Sequence, residues 1–552
     1  MKSIRIAGLL LMAVGTAMSQ PVISSIENAA SNIPAPLPNS PIAQGATFVV
    51  KGSNLGPANI LVTGFPYPLI LSGTSVKITV SGQIKDAIMY YTLDRQIAAI
   101  LPSSTPVGTG SLTVTYNGQT SAPAPVTVVA NNLGLYTLRS SGSGQAVATF
   151  QIPPAGGAYV SNGNAAIAGD SVILWGTGLG AISANETVVA PGGDMTNVPL
   201  QVFVGGLPAT ILYRGRNGCC SSVDTVYFRV PAGVSGCVTP VTMKIGATVS
   251  NTTTIPIGSS GRVCTPSNPG ISQGDMDRIL KAGAYTSGAV ALSRQSTTTT
   301  TPSFLPGLPA TTTTVKSDIG SAGFFRVTGD ISAAFNSQFE SVSFGACVVY
   351  SYSGQTPPTV NLASAALDAG ASIGVNGANG AKSLPKESGV YFATLSSTAD
   401  YLDPGPYTVT GTSGADVGSF SAQTTVPPAL VWTNQPGATA VIRAAGLPIT
   451  WTGGDPNGFV QIAGSSFTLA NSTSAGSSFV CKAKTSAGAF TVPAIVLLAL
   501  PPTGSIAGGV INISFPGTIS VSSATTTTAA VSGLDFFSVG SVVGVSQSAT
   551  YQ

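Results

Sequence analysis

The sequence predicts an all-β chain of tandem β-sandwiches, from a repeat, a strand rhythm and a composition. The block at 42–56 (IAQGATFVVKGSNLG) returns one residue shorter at 167–180 (IAGDSVILWGTGLG). The match then stays collinear: 76–82 (VKITVSG) with 200–206 (LQVFVGG), Tyr90 with Tyr213, a stretch ending at Pro102 with one ending at Pro231, and 112–118 (LTVTYNG) with 241–246 (VTMKIG). Collinear likeness of this length means two copies of one unit. Within each copy, short alternating stretches such as 111–116 and 199–204 are bounded by Gly, Pro or Asn about every ten residues, the rhythm of a sandwich. Gly and Pro are abundant, but 43% of the chain is hydrophobic, which reads as turn-rich β structure rather than disorder.

The elements follow in order. Residues 1–19 read as a secretory signal: basic Lys2 and Arg5, an apolar run at 6–14, and Ala17-Met18-Ser19 as a small-x-small cleavage site before Gln20. Residues 20–130 and 131–260 are the two repeats, with 52–56 and 176–180 as tight turns where small residues permit positive φ. In 261–316, a helix is expected over 272–282 (SQGDMDRILKA), acidic early and basic late, as a hinge. Threonine clusters at 297–301 and 311–314 flank a proline-rich turn. Threonine's preference for strands favours a hairpin there over a flexible Thr/Pro linker. Two further sandwiches are expected at 317–428 and 429–552, divided at Pro427-Pro428, or fused into one unit.

Cysteine usage points to an oxidising compartment. The six residues are Cys219, Cys220, Cys237, Cys264, Cys347 and Cys481, an even count behind an export signal, which reads as disulfides. Adjacent Cys219 and Cys220 are expected to take separate partners, Cys237 and Cys264, in either connectivity; Cys347 and Cys481 remain as a long-range pair. No C-x-x-C spacing supports zinc.

Charge excludes several function classes. Only 7% of residues are charged, and loss of Lys2 and Arg5 with the leader leaves 20 basic against 19 acidic residues, net +1. Such a surface offers no footprint for nucleic acid or anionic lipid. No apolar run after the leader is long enough to span a bilayer as a helix, so no membrane insertion is expected after its removal. The chain contains no histidine, which excludes Ser-His-Asp and Cys-His catalysis and any His-ligated metal. Paired carboxylates are the route left for glycoside hydrolysis, the closest sets being Asp275/Asp277 and Asp400/Asp403. Asp416 and the Asp455-Pro456-Asn457-Gly458 run offer oxygens to calcium, though turn formation explains them better. Trp175, Trp432 and Trp451 are candidates for a sugar-stacking platform or, more simply, for packing. Trp175 replaces Lys51 of the first copy, which suggests exposure.

Asn28-Ala29-Ala30-Ser31, the Gly52-Ser53-Asn54-Leu55-Gly56 block, Gly73-Thr74-Ser75-Val76, Trp175-Gly176-Thr177-Gly178-Leu179-Gly180, Gly218-Cys219-Cys220 and Gly236-Cys237 resemble an uncharacterised family of secreted repeat proteins from Acidobacteria (Solibacter-type). Its repeats are similar to IPT/TIG immunoglobulin-like domains. The resemblance covers 20–265, with a looser likeness at 405–409, 414–417 and 451–458. It implies fold and export, and brings no catalytic motif.

The expected function is therefore an exported, non-catalytic protein, secreted or at the cell surface. It would have a structural, adhesive or protein-binding role, an extracellular protein or polysaccharide as partner, possible self-association, and no cofactor. The alternatives are a carbohydrate-binding accessory protein and a hydrolase with a carboxylate pair in the C-terminal half.

Overall fold

Residues Thr74–Val80 (TSVKITV) bury alternate side chains, the two-residue period of a strand with one face on a core. That period recurs through the structure, a computed structural model that describes residues 19–151, 156–188, 192–264, 278–279, 281–301, 311–328, 342–353, 363–470, 473–508, 511–514 and 516–552. The fold is all-β.

The first repeat is a two-sheet sandwich. One sheet orders Val22–Asn28, Thr47–Ser53, Gln96–Ile100, Ile88–Leu93 and Leu61–Val62; the other orders Ile42–Ala43, Ala124–Val129, Gly108–Tyr116, Thr74–Val80 and Gln83–Asp86. Phe48, Val50, Ile78, Met89, Ile97 and Leu112 meet between them. The chain changes sheets at Ala87, since 83–86 pairs back onto 77–80 while Ile88–Leu93 pairs with Gln96–Ile100. The second repeat makes the same crossing without a break. Strand Leu207–Arg216 pairs through its start with Leu200–Val204 and through its remainder with Asp224–Arg229, bending at an irregularity between Ile211 and Tyr213. A separate core of Val172, Leu174, Val202, Val226, Phe228 and Met243 fills it.

The glycine blocks correct their reading in part. Asn54 (φ 54°), Gly178 (φ 115°) and Gly180 (φ 128°) do turn with positive φ. Gly52 and Gly176 instead lie in strands, where a Cβ would sit 1.9 Å from the Val22 oxygen and 2.3 Å from the Gly134 oxygen. They are glycine because a neighbouring backbone passes too close for a side chain.

The threonine clusters form a hairpin. Ala284–Thr301 and Thr311–Thr328 pair antiparallel along their whole length. This hairpin is the centre of a 14-stranded sheet and not a spacer between modules. Residues 287–298 also run parallel to 536–547 of the long last strand, Phe536–Tyr551. The expected boundary at 316/317 thus falls inside a strand, and one continuous sheet crosses the Pro427 boundary. Two cores line it: Val290, Phe324, Ile373, Tyr391, Tyr407 and Phe537, then Trp432, Ile449, Trp451, Ile462, Phe479 and Tyr551. The last strand supplies residues to both. Of the expected 272–282 helix, 278–279 and 281–282 are helical, and 272–277 and 280 lie outside the described residues.

Three disulfides are formed: Cys219–Cys220, Cys237–Cys264 and Cys347–Cys481. The first two correct the expected separate partners. Cys219 and Cys220 occupy the loop before Asp224–Arg229, whereas Cys237 and Cys264 gather beyond its other end. A six-residue strand spans about 20 Å, so no exchange between the two groups is possible. Cys347–Cys481 pairs as expected, but as direct cross-strand neighbours of Ala346–Ser353 and Thr473–Lys484. It therefore staples one sheet of one core and does not bridge two sandwiches.

Candidate binding surface

Leu61–Val62 is an edge strand only two residues long, pairing Leu61 with Thr92 and Val62 with Tyr91. Pro57, Pro66 and Pro68 flank it, and proline lacks the N–H needed to extend a ladder. Past the edge, the chain runs back along Ile88–Leu93, held where Met89 N–H donates to the Pro68 oxygen and Thr63 N–H to the Tyr90 oxygen. It is anchored on the second repeat by Tyr67 N–H donating to Thr187 O at 2.7 Å.

An aromatic chain forms on this frame. Phe65 and Tyr67 lie 4.4 Å apart between centroids, Tyr67 meets Tyr90 edge-on at 5.3 Å, and Tyr90 lies 6.1 Å from Tyr91. Tyr67 is buried against Ile88 and Ile100. Burial, with Tyr90 beside it, pushes its phenol up to about 12, so it stays neutral across the physiological range. Around this footing Ile60 (55% exposed), Val62 (61%), Phe65 (45%) and Ile70 (65%) face solvent, with Leu61, Leu69 and Tyr90 also exposed. No charged residue occurs from Gly52 to Val76. The exposed apolar area is on the order of 500 Å², within the range of the largest patch on a typical single chain, which is often functional.

The residues singled out in the sequence are not gathered here. Trp175 is half-buried and donates from Nε1 to Thr149 Oγ1 at 3.3 Å, so its expected exposure is corrected. Trp432 and Trp451 are buried as a cross-strand pair, their indole N–H groups donating to Asn434 Oδ1 and the Thr485 oxygen. The three tryptophans do not build a platform. Asp400 accepts from Ser396, and Asp403 from Arg294 and Asn379. Asp275 and Asp277 lie outside the described residues. Asp416 accepts the Asp368 N–H, and Asp455 closes a turn by accepting from Asn457 N–H at 2.9 Å. Among the described residues, no three His, Cys, Asp or Glu side chains gather as a metal site would require. The Phe65–Tyr91 cluster escaped sequence reading; its signal was Ile60-Leu61-Val62 within an uncharged, proline-punctuated run.

No protein-family model and no curated protein matches the chain. Among solved structures, it is similar to SGBP-B from a complex xyloglucan utilization locus in Bacteroides uniformis, at 10% identity and TM-score 0.19, over 73% of this chain and 97% of that one. Domains 5–6 of the S-layer protein SbsC match at 16% identity and TM-score 0.15, over 44% of this chain and all of theirs. The plexin A4 extracellular region matches at 14% identity and TM-score 0.15, over 45% of this chain but only 19% of that chain.

Proposed function

We propose that this chain is an exported, non-catalytic β-sandwich protein that grips an uncharged extracellular protein surface through the Ile60–Tyr91 region of its first repeat. The observation that carries this reading is the exposed apolar surface at a sheet edge, without a charge for 25 residues of chain from Gly52 to Val76. Exposed aliphatic side chains outnumber the exposed rings there, so few ring faces are offered for a sugar to stack on, whereas an exposed apolar surface is a common site of protein contact. A sugar site needs polar side chains placed to take hydroxyls beside each stacking ring. Three disulfides support an oxidising compartment, as export through the 1–19 leader requires. The Acidobacteria family resemblance agrees with a secreted or surface location.

The test is adhesion of the purified chain to the surface of its producing cells, beside a glycan array. Val62→Asp with Phe65→Ser is expected to lower adhesion at least tenfold with an unchanged Tm and a blank array. Adhesion that survives both changes, or an array signal that they abolish, overturns the protein-binding reading.

A further inference from the structure

The turn that joins two paired strands differs between the repeats. In the first copy Leu93 pairs with Gln96 across Asp94-Arg95; in the second, Arg216 pairs with Asp224 across residues 217–223. The longer loop forms the joint between the two sandwiches. At its base Arg216 and Asp224, 2% and 0% exposed, form an ion pair. Arg216 Nη2 also donates to Gly45 O in the first sandwich and to Gly180 O in the second, at 3.1 and 2.7 Å. Asp224 Oδ2 accepts the N–H groups of Gly178 and Leu179, both at 2.7 Å.

The loop's serines continue the joint. Ser222, held at φ 60°, donates from Oγ to Gly45 O at 2.7 Å and accepts from Thr47 Oγ1 at 3.0 Å. Ser221 Oγ donates to Glu186 O at 2.6 Å. The Glu186 carboxylate in turn accepts Ser103 N–H and Oγ–H of the first sandwich, each at 2.7 Å. Thr187, next in the chain, accepts the Tyr67 N–H that anchors the candidate surface. Immediately before these serines stands the Cys219–Cys220 disulfide. Cys219 is the exposed cysteine, whereas Cys264, Cys347 and Cys481 are buried and Cys220 and Cys237 half-buried.

We propose that Cys219–Cys220 is a redox latch on this joint, opened by a dithiol reductant. The reductant's thiolate attacks exposed Cys219 Sγ, the Cys219–Cys220 bond breaks, and Cys220 leaves as a thiolate and takes a proton. The reductant's second thiol then displaces Cys219, which is protonated in turn; the reductant ends as its own disulfide. Two electrons and two protons pass to the protein. Opening the ring frees the backbone at 219–220 and loosens Ser221 and Ser222, which no longer hold Glu186 and Gly45 in register. Release of the Tyr67 anchor is a further consequence whose significance rests on the binding reading above.

The test is a dithiothreitol titration of the full chain, with residue-resolved thiol alkylation by mass spectrometry and amide hydrogen exchange. Cys219 and Cys220 are expected to alkylate before the other four cysteines. Exchange at Ser103, whose N–H the Glu186 carboxylate accepts, and at Thr47, whose N–H is accepted by the Thr177 hydroxyl that itself donates to Ser222 O, should rise at least tenfold and return on reoxidation. The C219S/C220S variant is expected to exchange like the reduced chain and to ignore dithiothreitol. Unchanged exchange after alkylation of both residues overturns the latch, as does prior reduction of Cys237–Cys264 or free thiols at 219 and 220 in the oxidised protein. Exchange at the Tyr67 amide reports coupling to the surface separately, and adhesion reports the binding reading, so each part fails independently.

Discussion

At the scale of residues, the joint concentrates polar groups that water would otherwise hold. A buried ion pair gives weak net stability, but removing one partner strands the other. Arg216→Leu leaves Asp224 with two backbone donors and no cation, and is expected to cost about 3–5 kcal/mol in urea unfolding; a loss below about 1 kcal/mol would show that water reaches the site. Two other carboxylates give opposite pH responses. Burial raises Glu186 above its ordinary value despite the Ser103 bonds. Its charge thus opposes folding, and this cost appears as pH rises from about 4.5 through the raised value. Glu186→Gln, which keeps an acceptor for Ser103, is expected to remove that component from a stability–pH curve. Asp368 is held down at about 2 by the Lys386 ammonium and the Ala415 and Gly370 N–H groups. Its contribution is present above the ordinary 3.8 and lost as pH falls towards 2. Asp368→Asn should flatten that acid limb, a result that chemical denaturation between pH 2 and 5 checks.

At the scale of elements, the central hairpin shows how register is chosen. Its outer half pairs threonine with threonine, as in Thr298–Thr314 at 3.0 Å and Thr300–Thr312 at 3.2 Å, and such a ladder reads alike on both faces. A slip by one residue changes little there. The inner half forbids it, because Val290, Leu292, Ala322 and Phe324 must all face the core. The hairpin was legible from β-branched clusters about a turn; its place at the centre of a sheet was not, since pairing with 536–547 joins segments some 250 residues apart. The Cys347–Cys481 staple closes 134 residues of chain. Cys347→Ala with Cys481→Ala is expected to cost about 2–5 kcal/mol, read as a lower urea midpoint under oxidising conditions.

At the scale of the molecule, the chain divides unevenly. Each N-terminal repeat has its own core, whereas the C-terminal half threads one sheet past two cores. Val290, Leu292, Val531, Phe537, Val539 and Val543 enter the core that also serves 317–428. A 317–428 fragment is therefore expected to remain unfolded, while 284–552 folds cooperatively; collapsed against dispersed amide spectra of the two fragments distinguish these outcomes. The halves also touch, through Ser343 Oγ to Val238 O, Val249 within the second C-terminal core, and Ile33 and Leu37 against Ala475.

The all-β class, the paired repeats, a preference for the threonine hairpin over a linker and the Cys347–Cys481 partnership were legible in the residues alone. All but the last are written in local periodicity and internal similarity, and the last followed once four other cysteines had grouped together. Tertiary structure alone decided that Cys219 bonds Cys220, that the 346–353 strand joins the second C-terminal core, and that Arg216 meets Gly45. It also decided that Phe65, Tyr67, Tyr90 and Tyr91 share one surface. Those outcomes depend on which strand ends arrive together, and pairing over long separations is set by the packing of whole sheets rather than by the spacing of neighbours.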